Sequence, residues 1–463
     1  MSITTTMTDY GGAITQNNNV LQQQHQQINV PTIDCKLYKR RWPMLTLFVL
    51  CSMANAVQWI QYSIISNVIM KFYNVSSFQV NLTSIVYMVT YIPLIFPASW
   101  ILDKKGLRVA MVAGALGTMI GAWFKVGSSN PDRFYMTMIG QTIVASSQVF
   151  ILNLPARLAA VWFGPLEVSS ACSIGVFGNQ LGIALGFLLP PLLVHDSDDL
   201  QDIAASLSQM YYATAIFSTL VFALIYLFVQ SSPPLPPSLA QANQRSSTNA
   251  NDPRNFVKSL WRLVGNYGFV LLLLSYGMNV GSFYAISTLL NQIILSYFPD
   301  NAEDAGRIGL SIVLAGMFGS VVCGFVLDKT HRFKETTLVV YACSLLGMII
   351  YTFTLSCGYI SIVYLSAILL GFFMTGYLAV GYELAAELTY PESEGTSSGL
   401  LNAVVQVFGI VFTLLYDWIF NAAGDRKANL FLAVTLVAGT FFTAAIPSDL
   451  RRQAAQQKKS LIN

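Results

Sequence analysis

Twelve separate stretches of this chain are apolar for long enough to cross a bilayer, which no water-soluble fold could accommodate. They run at about 45–72, 80–102, 109–126, 134–162, 168–194 and 207–230, then at about 268–297, 307–328, 337–357, 360–388, 396–420 and 428–447. A spanning helix needs roughly 20 residues, so twelve take some 240. The remainder of the 463 residues is ample for loops and tails. Composition agrees, with 54% hydrophobic residues and only 10% charged ones, against roughly 25% charged in soluble domains. The expected fold class is an all-α membrane protein with the lipid bilayer as its solvent. A net charge of +3 supplies no polybasic field, so no nucleic-acid partner is expected.

Between the two sets of spans, 231–262 carries Pro233, Pro234, Pro236 and Pro237 and then a Ser/Asn/Gln stretch, the composition of a flexible linker. The expected organisation is a disordered tail at 1–40, a six-helix bundle at 41–230, the linker at 231–262, a second bundle at 263–447 and a tail at 448–463. Eighteen Lys and Arg flank the spans on the side of the termini, against six on the other (Lys71, Lys125, Arg133, Arg307, Arg426, Lys427). By the positive-inside rule both termini are cytoplasmic. The first 34 residues lack the charged start, apolar stretch and cleavage site of a signal peptide. Six cysteines without a CxxC pair read as packed thiols, with neither a disulfide framework nor a metal site. No phosphate-cradling Gly loop and no embedded nucleophile with a positioned base is found, so neither an enzyme nor a cofactor is expected.

The two halves echo each other. Asp103-Lys104-Lys105-Gly106-Leu107-Arg108 follows the second span, and Asp328-Lys329 with Arg332 follows the eighth. A carboxylate at a helix end, a tight turn and following cations can latch neighbouring helix ends. Two such strings at matching positions resemble the loop signature of the major facilitator superfamily. That resemblance implies twelve transmembrane helices in two six-helix bundles, a central cavity lined by spans 1, 4, 7 and 10, and alternating access.

Four residues fall near mid-span: Trp59 in span 1, Gln148 in span 4, Tyr284 in span 7 and Gln406 in span 11. A mid-span amide costs free energy without a partner, so each Gln either bonds a neighbouring helix or contacts a ligand. Two aromatic rings facing one cavity suit a cation, above all a quaternary ammonium that cannot donate hydrogen bonds. No Lys or Arg is expected at mid-depth, since Arg157 lies nine residues from Gln148, roughly 13 Å of helix. Acidic residues are likewise peripheral, with Glu383 and Glu387 near the inner end of span 10 and Asp417 near the outer end of span 11. A proton-coupled carrier usually buries a carboxylate relay, so facilitated uniport is the favoured mechanism. Arg157 with Glu383 or Glu387 could bridge the bundles when the inner side closes, and Asp417 could do so outside; pairing within one bundle or snorkelling is the alternative. Gly178, Gly182 and Gly186 form a GxxxGxxxG face in span 5, with Asn179 beside it, and read as a close helix contact.

The strings NAVQWIQYSIISNV at 55–68, LNLPARLAAVWFGP at 152–165, SFYAISTLLNQ at 282–292 and ELTYPESEGTSSGLLN at 387–402 are similar to those of the feline leukaemia virus subgroup C receptor family. The resemblance runs over roughly 41–447 and implies carriage of choline, with ethanolamine, across the plasma membrane; haem export was earlier assigned to some members, and a monomer is the separate expectation for assembly. It implies aromatic choline contacts at Trp59 and Tyr284, polar contacts at Gln148 and Gln406, and secondary contacts at Asn179 and Met88. Haem export stays open as an alternative, although His25, His195 and His331 fall in the tail and loops rather than in the spans. A non-transporting sensor or receptor on the same fold also stays open. Asn74 and Asn81 each begin an Asn-x-Ser/Thr string, but both lie close to the membrane.

Overall fold

The computed structural model describes residues 36–164, 167–237, 241, 253–299, 301–330, 332–392, 394–448 and 451. Most of both expected tails, His25, His331 and part of the linker lie outside the described residues, as do the side chains of Asp103 and Asp328.

Twelve helices are long and apolar enough to span: Arg41–Tyr73, Ser77–Leu102, Leu107–Val126, Pro131–Trp162, Ser170–Leu193 and Leu200–Phe228, then Tyr267–Tyr297, Ala302–Leu327, Phe333–Cys357, Ile360–Thr389, Thr396–Ala423 and Asp425–Ala445. We number them spans 1 to 12. Spans 6 and 8 begin earlier than hydropathy alone suggests, at Leu200 and Ala302. Their first turns are polar but well suited to a helix start: Asp199 accepts from the Gln201 amide at 2.9 Å, and Glu303 with Asp304 complements the helix dipole of span 8. Ser76 and Gln79 form a capping box at the start of span 2. The expected flexible linker is helical over Pro253–Val264, a stretch tied to the loop after span 10 by the Arg262–Glu392 ion pair at 2.9 Å.

Spans 1–6 and spans 7–12 form two bundles with one internal plan. In the first, span 1 packs on 5, span 2 on 4, and span 3 on 4 and 6; in the second, span 7 packs on 11, span 8 on 10, and span 9 on 10 and 12. The bundles meet through span 2 against span 11 and span 5 against span 8, equivalent pairs under exchange of the halves. Spans 1 and 7 are the most enclosed, 67% and 78% buried. Large exposed side chains such as Phe318, Val434 and Phe441 lie on the bundle exteriors, as a hydrocarbon solvent permits.

The small-residue face of span 5 seats against span 1. A Cβ at Gly182 would lie 2.7 Å from the Met53 carbonyl oxygen, and one at Gly186 would lie 2.8 Å from the Val57 carbonyl oxygen. This backbone-to-backbone approach holds span 1 from behind while its other side faces span 7. At the turn between spans 2 and 3, Gly106 takes φ 83° and ends the helix. Arg108 then donates to the Tyr226 carbonyl at 3.2 Å, latching the end of span 6 within the same bundle.

Candidate substrate site

Trp59 stands where span 1 breaks. The α-helix from Arg41 ends at Ile60, a 3-10 turn covers Ser63–Ile65, and the helix resumes over Ser66–Tyr73. A break leaves carbonyls without helical partners, and in hydrocarbon these need side-chain donors. Gln141 donates to the Gln58 carbonyl at 3.0 Å and Ser84 to the Trp59 carbonyl at 3.1 Å, so both carbonyls flanking the Trp59 side chain are held. From the other bundle, Asn291 donates to the Ile64 carbonyl at 2.8 Å.

Across this break the two bundles touch through aromatic rings. The Trp59 and Tyr284 centroids are 5.2 Å apart with planes at 64°. Rings at such an angle are in the favoured edge-to-face range. Gln406 lies beside the Tyr284 side chain and is buried. Met88 completes the group: a Cβ at Gly409 would lie 2.8 Å from Met88 Sδ and 2.9 Å from Tyr284 Cδ2, so glycine at 409 is what lets span 2 and span 7 side chains meet over span 11. Trp59, Tyr284, Gln406 and Met88 are thus brought together from four spans.

Sequence and fold comparisons bear on the whole chain. The Major Facilitator Superfamily profile matches residues 46–414. The choline/ethanolamine transporter flvcr2b of Danio rerio is 53% identical over 428 residues, covering 92% of this chain and 88% of that protein. The choline/ethanolamine transporter FLVCR2 of Homo sapiens is 48% identical over 423 residues, covering 91% of this chain and 80% of that one. Among solved structures, a D-xylose–proton symporter superposes with a TM-score of 0.71 at 13% identity, over 89% of this chain and 98% of that one. A bacterial homologue of the human lysosomal transporter Spinster, in an inward-facing and occupied conformation, gives 0.69 at 13% identity over 89% and 97%. The chain belongs to the feline leukaemia virus subgroup C receptor family of the major facilitator superfamily. It is a multi-pass membrane protein of a transporter family, not an enzyme family.

Other candidates make no described contact with the ring pair. Gln148 is half-buried on span 4, and no described contact joins it to Trp59 or Tyr284. Asn179 lies on span 5 with its Nδ2 buried and unpaired. Arg157 is half-buried near the inner end of span 4. Glu383 is exposed and Glu387 buried. Asp417, by contrast, reaches the other bundle: its Oδ1 accepts from Asn81 Nδ2 at 2.9 Å. Gln292 of span 7 donates to Asn81 Oδ1 at 3.3 Å, and Ser66 donates to Asn291 Oδ1 at 2.8 Å. These inter-bundle bonds all lie on the face opposite the termini. Asn81 is 1% exposed, while Asn74 is exposed.

One expectation is corrected. Lys125 was placed among residues at the membrane surface, yet it is 1% exposed, and its Nζ donates inward to Gln141 Oε1 at 2.7 Å. Hydropathy sees a lysine one residue from the end of span 3, where snorkelling is usual. It cannot see the acceptor waiting on span 4. Asn81, Gln141, Asn291 and Gln292 were likewise missed, although each is an amide inside an apolar run, the same signal that singled out Gln148 and Gln406.

Proposed function

We propose that the protein carries choline, and ethanolamine with it, as a potential-driven uniporter working by alternating access, at the plasma membrane as a monomer with both termini cytoplasmic. The observation that carries this reading is the Trp59–Tyr284 pair, 5.2 Å apart on the facing spans of the two bundles. A trimethylammonium group in the angle between the rings meets two negative π-faces within about 6 Å. It needs no hydrogen-bond acceptor. Gln406 and Met88 flank the same point, an amide for the hydroxyl end and a polarisable thioether for the methyls. The names of the relatives, choline/ethanolamine transporters at 48–53% identity, support the same substrate class.

Each ring contributes about 1–2 kcal/mol in a desolvated site, so losing one weakens binding roughly five- to thirtyfold. No ion coupling is needed for uptake. An inside-negative potential acts on one positive charge at about 2.3 kcal/mol per 100 mV, enough for roughly fiftyfold accumulation. The bonds from Asn81 to Asp417 and from Asn291 to the span 1 break act as the outer gate in this account, closed in the conformation described. Arg157 with Glu383 or Glu387 acts as the inner one when that side closes.

Binding of labelled choline to the purified protein, competed by 3,3-dimethylbutan-1-ol, tests the reading. That alcohol has the shape of choline without the charge, so it is expected to compete at least about tenfold more weakly. Equal competition, or no saturable choline binding, would overturn the cation site.

A further inference from the structure

Among the described residues, the only buried Lys or Arg is Lys125. A lysine inside a membrane bundle is costly to keep, and no carboxylate pairs with this one. Its inward path is built into the fold. A Cβ at Gly140 would lie 2.6 Å from Lys125 Cγ, so glycine there leaves room for the lysine stem to pass between spans 3 and 4.

At the end of that path the ammonium holds both sides of the break in span 1. On one side it donates to Gln141 Oε1 at 2.7 Å, and the same amide donates through Nε2 to the Gln58 carbonyl at 3.0 Å and the Thr83 carbonyl at 3.1 Å. On the other it lies 5.7 Å from the centroid of the Tyr62 ring. Apart from Lys125, the Gln141 oxygen has, among the described residues, only the Tyr87 hydroxyl, at 3.4 Å. Trp59 sits between the two held points, one residue beyond Gln58 and three before Tyr62.

We propose that Lys125 is a positioning residue for the substrate cation: through Gln141 and Tyr62 it braces the break in span 1 and so holds Trp59 against Tyr284. The proposal rests on the reading of Trp59 as a substrate contact for its functional half, but the brace itself is independent of any substrate.

The test variant is Lys125→Met, which keeps the length of the stem and removes the donor. Hydrogen–deuterium exchange over residues 58–66 of the substrate-free protein reads the brace directly, and about tenfold faster exchange is expected. Because an apolar replacement of a buried charge is often neutral or stabilising, the unfolding midpoint is expected to stay the same or rise. The choline KM is expected to rise about tenfold, and to change less than about twofold further when Lys125→Met is added to Trp59→Ala. Unchanged exchange at 58–66 would overturn the brace whether or not the wild type carries choline. Faster exchange with an unchanged KM, or a full additional loss on top of Trp59→Ala, would overturn its connection to the substrate.

Discussion

Asn291 and Ile64 are joined across the two bundles, the Asn291 Nδ2 donating to the Ile64 carbonyl at 2.8 Å while its Oδ1 accepts from the Ser66 hydroxyl at 2.8 Å. One amide from span 7 therefore satisfies both the 3-10 turn and the resumed helix of span 1. In the proposed cycle, opening of the outer side exchanges these contacts for water. The break in span 1 is thus the seat of Trp59 and, in the proposed cycle, the point on which the outer gate closes.

Asn291→Leu keeps side-chain volume and removes both bonds. Stranding a buried carbonyl costs about 1–3 kcal/mol, shifting the balance toward the outward-open state roughly five- to 150-fold. Labelling by a membrane-impermeant thiol reagent reports this through Val68→Cys, a position 2% exposed in the closed seam. Exposed Cys357 is first replaced by Ser to silence the background.

Asp417 accepts from Asn81 at 2.9 Å, and Asp417→Asn retains a carbonyl oxygen for that bond. Choline uptake by Asp417→Asn is expected to stay within about threefold of wild type, whereas Asp417→Leu, leaving the Asn81 amide unpaired, is expected to lose about tenfold or more. Uptake at matched surface amounts separates the two.

Gly409→Val places branched carbon where Met88 Sδ and Tyr284 Cδ2 already lie within 2.9 Å of the missing Cβ. The Tyr284 ring must turn away from Trp59, and a roughly five- to thirtyfold rise in choline KM is expected with folded yield retained. Kinetics of uptake beside a size-exclusion profile check both halves.

Gly182→Leu acts on the fold instead. Its Cβ would lie 2.7 Å from a backbone oxygen and 2.8 Å from the Ala56 Cβ, and neither can step aside like a flexible side chain. Separation of spans 1 and 5 is expected to cost about 1–3 kcal/mol or more, seen as a lower unfolding midpoint.

The twelve spans were legible because each is a long apolar run, and the six-plus-six division because proline and polar residues interrupt the runs once. Trp59 and Tyr284 were legible as large aromatics at mid-span, where interface preference does not explain them. The break beside Trp59 was not, since residues 60–65 contain neither Gly nor Pro. It is held by donors from three other spans, Ser84, Gln141 and Asn291. Lys125 was misread for the same reason: the residues that make an inward lysine tolerable, Gly140 and Gln141, are on another helix.

The most direct test of the account is uptake of labelled choline by wild type, Trp59→Ala and Tyr284→Ala at matched surface amounts, with the membrane potential clamped high and low. The account predicts saturable wild-type uptake that rises with inside-negative potential, and a roughly five- to thirtyfold lower apparent affinity in each variant. Wild-type uptake equal to that of cells lacking the protein, or affinity unaltered by loss of either ring, would contradict it.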